Sequence, residues 1–132
     1  MACGCDELND FVIKQGAVFG PTTNTLAPSI YFQELVNNVA IDISDYTAQM
    51  VIRFPQDADF IKVLTTEDVA PNSRLILNGP DGSVAPYFSP EDTAAMELGT
   101  YCWQIFLFDE DGIKIFMAGG NLEVAYTLPE EL

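Results

Sequence analysis

The chain has 132 residues, 48% of them hydrophobic, with 5 Lys or Arg against 20 Asp or Glu, a formal net charge of −15 and no histidine. That length suits one domain with a real core, while the charge argues against nucleic-acid binding, which needs clustered cations, and against docking on an anionic membrane. Without histidine there is no Ser-His-Asp or Cys-His arrangement, no His-containing zinc site and no general base of the commonest kind.

Residues 1–9 read as a flexible N-terminal arm. The first ten residues hold neither a basic segment nor an apolar run, so they do not read as a signal peptide. Cys3 and Cys5 are one residue apart, too close for an easy bridge, and a closed metal site wants four ligands. The expectation is a pair of free thiols made in a reducing compartment. The only other cysteine is Cys102, and an odd, low count argues against a disulfide framework.

Residues 10–126 read as one all-β domain, with apolar runs broken by turn residues at sandwich-like spacing. Strands are predicted over 10–15, loosely over 17–26 across Gly20-Pro21, and over 29–34 with Ile30 and Phe32 alternating with Ser29 and Tyr31. Asn37-Asn38 marks a turn. Val39, Ile41 and Ile43 then alternate with Ala40, Asp42 and Ser44, the signature of a half-buried strand. In 47–54, Ala48, Met50 and Ile52 share one face, and Pro55 ends the strand because it cannot donate to the ladder. Further strands are predicted over 60–66, 74–77 and 83–88, the last two joined by the turn-rich Asn78 to Gly82.

Ser89-Pro90-Glu91-Asp92 opens the one predicted helical turn, near 90–98. Ser89 suits the N-cap, Pro90 the first helical position and the acids the positive end of the helix, with Gly99 as the stop. Residues 100–108 are apolar on both faces, so this strand is central or covered. Asp109 to Gly112 is a tight hairpin turn. Two more strands, 113–118 and 121–126, are predicted on either side of a Gly119-Gly120 bend, and 127–132 form an acidic tail.

No segment carries recognisable chemistry. Asp109, Glu110 and Asp111 lack the alternating ligands and distal glutamate of a calcium loop. Asp42, Asp45, Asp57 and Asp59 read as loop or exposed-face acids. Cys102 has no base or cation near it in sequence and reads as a buried structural thiol. Catalytic, metal and cofactor residues are therefore expected to be none. The residues singled out for interaction are Cys3, Cys5, Tyr31 and Tyr87. The charge itself reads as solubility, or more sharply as an acidic face matched to a basic partner.

Three segments in order carry a resemblance: Phe11-Val12-Ile13-Lys14-Gln15-Gly16-Ala17, the run Ile41 to Arg53 with its Asp-Tyr-Thr-Ala core, and Ser89-Pro90-Glu91-Asp92-Thr93-Ala94-Ala95 leading into Gly99-Thr100-Tyr101-Cys102-Trp103. In this order the chain resembles small immunoglobulin-like structural proteins of tailed bacteriophages, akin to the N-terminal domain of the phage baseplate upper protein family. The resemblance implies an immunoglobulin-like antiparallel β-sandwich and a non-enzymatic virion protein, assembled in the bacterial host cytoplasm. It would serve as a tail, baseplate or fibre-attachment module. Its implied partners are other virion proteins or a second copy of the chain, with no nucleic acid or membrane. Capsid decoration or a head-fibre role is the alternative within that class. A carbohydrate-binding or adhesion module, using Tyr87 near Glu91, is the alternative of another class. An antibody-type domain is rejected, because Asp92 and Tyr101 are too far apart and no second cysteine lies on an earlier strand.

Overall fold

A computed structural model describes residues 10–22, 29–33, 35–54, 57–69 and 72–126. In chain order the elements are β1 (Phe11–Lys14), β2 (Phe32–Gln33), β3 (Leu35–Val36), β4 (Val39–Ala40), β5 (Thr47–Phe54), β6 (Asp57–Thr65), β7 (Arg74–Asn78), β8 (Ser83–Tyr87), α1 (Pro90–Ala95), β9 (Gly99–Phe108) and β10 (Lys114–Ala125). The chain is all-β with one short helix, as the sequence predicts. A five-stranded sheet runs β1-β10-β9-β5-β6, a three-stranded sheet β2-β8-β7, and β3–β4 is a separate hairpin.

These two strand orders are those of an immunoglobulin sandwich. One sheet follows the G-F-C-C′ order with an added first strand, and the other follows B-E-D. The sandwich is not wholly antiparallel, which corrects the expectation. β1 lies parallel to β10, from Phe11 opposite Leu122 to Lys14 opposite Ala125. The first strand covers the edge of the last one, and Gln15 N extends the ladder by donating to Ala125 O at 3.0 Å.

β9 is central, between β10 and β5, which explains its apolar character on both faces. Tyr101, Trp103, Ile105 and Leu107 point inward and are buried. They meet Leu75 and Val84 from the smaller sheet in one apolar cluster. The Trp103 ring lies 4.9 Å from that of Phe32 in the smaller sheet and 5.7 Å from that of Phe11. It therefore ties the two layers together. Tyr101 OH donates to Glu97 O at 2.7 Å, the backward tyrosine-to-backbone bond of an immunoglobulin corner. Burial, with the Glu97 charge added, raises its phenol to about 12.

Several strand predictions change, and of the predicted 29–34 strand only Phe32–Gln33 pairs among the described residues. Among the described residues, 17–22 contribute only a bridge between Phe19 and Phe88, and the rest of the predicted 17–26 strand lies outside the described residues. Only Val39–Ala40 pairs in the predicted 39–44 strand. After it, Asp42 accepts from Ser44 N at 2.9 Å and from the Ser44 hydroxyl. These bonds turn the chain and hold the Asp42 carboxyl below its usual range. β10 is one continuous strand through Gly119-Gly120. Its irregularity lies between Phe116 and Ala118 instead.

Gly20 has φ +125°, and a Cβ there would meet Pro86 O at 2.5 Å and Tyr87 Cα at 2.7 Å. Both contacts are backbone or rigid, beside the Phe19–Phe88 bridge. Gly20→Ala is expected to destabilise the domain by about 1–3 kcal/mol, read as a lower urea midpoint at unchanged slope.

The helix starts where predicted and ends earlier. Ser89 caps it, accepting from Asp92 N at 3.2 Å, and Met96 is already extended. Met96 is buried, so core packing pulls the chain out of the helix at that point, and Gly99 opens β9 rather than stopping α1. The cap is part of a network. Ser73 Oγ accepts from Ser89 N at 2.9 Å and donates to Asp92, whose carboxylate also lies 3.5 Å from Lys62 Nζ. The Ser73 bond, opposed by partial burial and aided by Lys62, holds the Asp92 carboxyl below its ordinary 3.8. Its contribution is thus complete above that value and lost as pH falls through the lower folded one. Asp92→Asn is expected to be less stable at neutral pH and to lose less stability on acidification below about pH 4, as thermal melts across pH will show.

Candidate interaction surface

The β3–β4 hairpin is built by a two-residue turn, Asn37-Asn38, with φ of 53° and 66°. Asparagine tolerates this left-handed region and so permits the tight primed turn. Leu35 pairs with Ala40 and Val36 with Val39. A hairpin on a globular surface normally buries one of its faces. Here Leu35, Val36 and Val39 are 48%, 54% and 66% exposed. Three large aliphatic side chains on one short hairpin form a concentrated apolar protrusion. Sequence reasoning placed Val39 in a half-buried strand and missed this feature.

Of the predicted interaction residues, Cys3 and Cys5 lie outside the described residues. Tyr31 is 66% exposed. It directly precedes β2, where Phe32 points inward opposite Val84. Tyr87 ends β8 on the outward-facing positions of the same sheet. The structure thus directs both tyrosines to one outer face. The Arg74 guanidinium lies 4.7 Å from the Tyr87 ring centre, so one face of that ring is covered and not open for sugar stacking.

Lys62 faces Asp92 at 3.5 Å, Arg74 covers Tyr87, and Lys114 Nζ sits 4.2 Å from the Phe106 ring centre. Three of the five cations are therefore engaged by the chain's own groups. This leaves the acidic excess to set the sign of the outward field.

The outer face of the five-stranded sheet carries two more features. Phe106 and Phe116 meet edge to face at 5.9 Å. At the same end, a cleft of about 150 Å³ is lined by Thr47, Gln49, Thr65, Thr66, Glu67 and Phe108 over Ala48. Its walls are fixed by ladder pairs Thr47–Phe108 and Gln49–Thr65, and by Thr66 Oγ1 accepting from Ala48 N at 3.2 Å. Glu67 N donates to Thr65 Oγ1 at 3.2 Å.

Cys102 lies on β9 with its neighbours Tyr101 and Trp103 facing the core, and it is disulfide-bonded. Of the expected buried structural thiol, the burial holds and the thiol state is corrected. Pairing depends on which residues the fold brings together, and a count of cysteines does not report that. Inside the core, Trp103 Nε1 is buried without a hydrogen-bond partner. Among the described residues no group of three or more His, Cys, Asp or Glu is placed to hold a metal ion. Among the described residues no helix is long and apolar enough to cross a membrane. No protein-family model matches the chain, and no curated protein matches it.

Proposed function

We propose that this chain is a non-enzymatic structural protein of a tailed-bacteriophage virion, working as a tail, baseplate or fibre-attachment module that binds other virion proteins. The observation that carries the proposal is the exposed apolar hairpin, Leu35, Val36 and Val39 on a rigid two-residue turn. A surface of this kind loses water favourably against a complementary groove, at roughly 25 cal/mol per Å² of apolar area removed. With a net charge of −15, steering favours a groove with a basic rim. The ordered motifs of residues 11–17, 41–53 and 89–103 support the virion assignment through their resemblance to phage structural proteins.

Mass spectrometry of purified particles from the phage or prophage encoding the chain tests this. The protein is expected at stoichiometric abundance, cross-linked through the hairpin to another virion protein. Val39→Asp is expected to fold with an unchanged melting temperature and to be missing from particles. Absence of the unmodified chain from particles refutes the assignment.

A further inference from the structure

The cleft at the end of the five-stranded sheet has a chemistry of its own, separate from the hairpin and independent of the virion proposal. Its lining supplies three threonine hydroxyls, one carboxamide, one carboxylate and one aromatic ring. Thr65 and Thr66 accept backbone N–H groups, and this fixes their oxygens in place while leaving each hydroxyl proton to donate outward. Gln49 offers both a donor and an acceptor, and Glu67 accepts. Phe108 is half-buried, pairs with Thr47 across the ladder and forms one apolar wall of the cleft.

Ligand classes separate on this lining. An anion finds no cation among the lining residues and meets the field of a −15 chain. A hard metal ion wants about six or more oxygen ligands with several carboxylates, and the lining offers one carboxylate. An organic cation would use Phe108 and Glu67. A quaternary ammonium, however, would leave the threonine hydroxyls and the Gln49 carboxamide without hydrogen-bond partners. A purely apolar ligand would strip water from five polar side chains without replacing their hydrogen bonds. What remains is a small, neutral, hydroxyl-rich molecule with one apolar face. The geometry points to a binding site for a single neutral sugar unit, held by hydrogen bonds to Gln49, Glu67 and the threonine hydroxyls with its C–H face against Phe108.

The site differs from the Tyr87–Glu91 sugar site suggested by sequence. It is small compared with drug-sized pockets of roughly 300 Å³ or more, so affinity for one unit is weak, with Kd on the order of 1 mM. The test is a titration of the full chain followed by amide NMR shifts, with glucose, galactose and N-acetylglucosamine as probes and glycerol and tetramethylammonium as comparators. At least one sugar is expected to shift Thr47, Gln49, Thr65, Thr66, Glu67 and Phe108 saturably, with neither comparator doing so. Gln49→Ala and Phe108→Leu are each expected to weaken that binding about tenfold, the loss of one good contact. Glu67→Gln, at an exposed turn position, keeps the fold intact and is expected to weaken it as well. Overturning results are no saturable shift with any sugar, shifts confined to another surface, stronger binding of tetramethylammonium than of every sugar, or an unchanged Kd in all three variants.

Discussion

Replacing Trp103 with alanine is expected to cost about 3–5 kcal/mol, the range for removing a large aromatic from a packed core. Total stability for a domain is roughly 5–15 kcal/mol, so the variant will sit near its unfolding limit. The reason is position. Trp103 is 1% exposed and its ring meets Phe11 from the first strand and Phe32 from the opposite sheet. Removing it opens a cavity where the two layers join. Trp103→Phe separates packing from polarity. It keeps a ring at the junction and deletes the buried Nε1 that has no partner. Leaving such a donor unsatisfied costs about 1–3 kcal/mol, so its deletion offsets part of the lost volume. Denaturant unfolding should rank the unmodified chain first, Trp103→Phe close behind and Trp103→Ala far below. Equal losses for the two variants would show that Trp103 does not bridge the sheets as described.

Reducing agent is expected to lower the melting temperature markedly. The disulfide at Cys102 is anchored on the central strand of the larger sheet, and removing a native disulfide typically costs about 2–5 kcal/mol. A domain of this size loses roughly 3–5 °C per kcal/mol. The fall should therefore be about 6–25 °C. Cys102→Ala should melt at the lower temperature with or without reductant. A melting temperature indifferent to reductant contradicts the bond. Because cytosolic thiols are kept reduced, a chain made in a host cytoplasm would gain this stability only after meeting an oxidising environment.

The sequence carried the fold better than the sites. The 47–54 strand was legible because Ala48, Met50, Ile52 and Phe54 alternate along one face and Pro55 breaks the run, and the 100–108 strand because its apolar residues cover both faces between Gly99 and the Asp109–Gly112 turn. The helix start was legible from Ser89 and Pro90, whose roles are local. Non-local packing decided the rest. The alternating 39–44 run looked like a strand, but the turn at Asn37-Asn38 supplies a partner of only two residues. Beyond it, Ile43 instead bonds through its N–H to Gly79 O at 2.8 Å and is buried. Gly119-Gly120 read as a bend, yet a Cβ on Gly119 would lie 3.2 Å from Trp103 O. That glycine permits close approach of β10 to β9 rather than a turn. The cleft left no motif, since threonines and a glutamine from separate strands have no fixed spacing. The charge of −15 is a bulk quantity legible in the sequence, while the engagement of Lys62, Arg74 and Lys114 needed the third dimension.

The parallel pairing of β1 with β10 also has a mechanical consequence. Chain entering at Asp10 and chain leaving at Tyr126 continue from opposite ends of the same four-residue ladder, Phe11–Leu122 to Lys14–Ala125. Tension applied through those two points runs along the strands, so it loads the rungs in shear and all of them must fail together. An antiparallel edge pulled from one end would open one rung at a time. A domain placed in series between two larger bodies would thus resist stretching most strongly along the direction in which its own backbone enters and leaves.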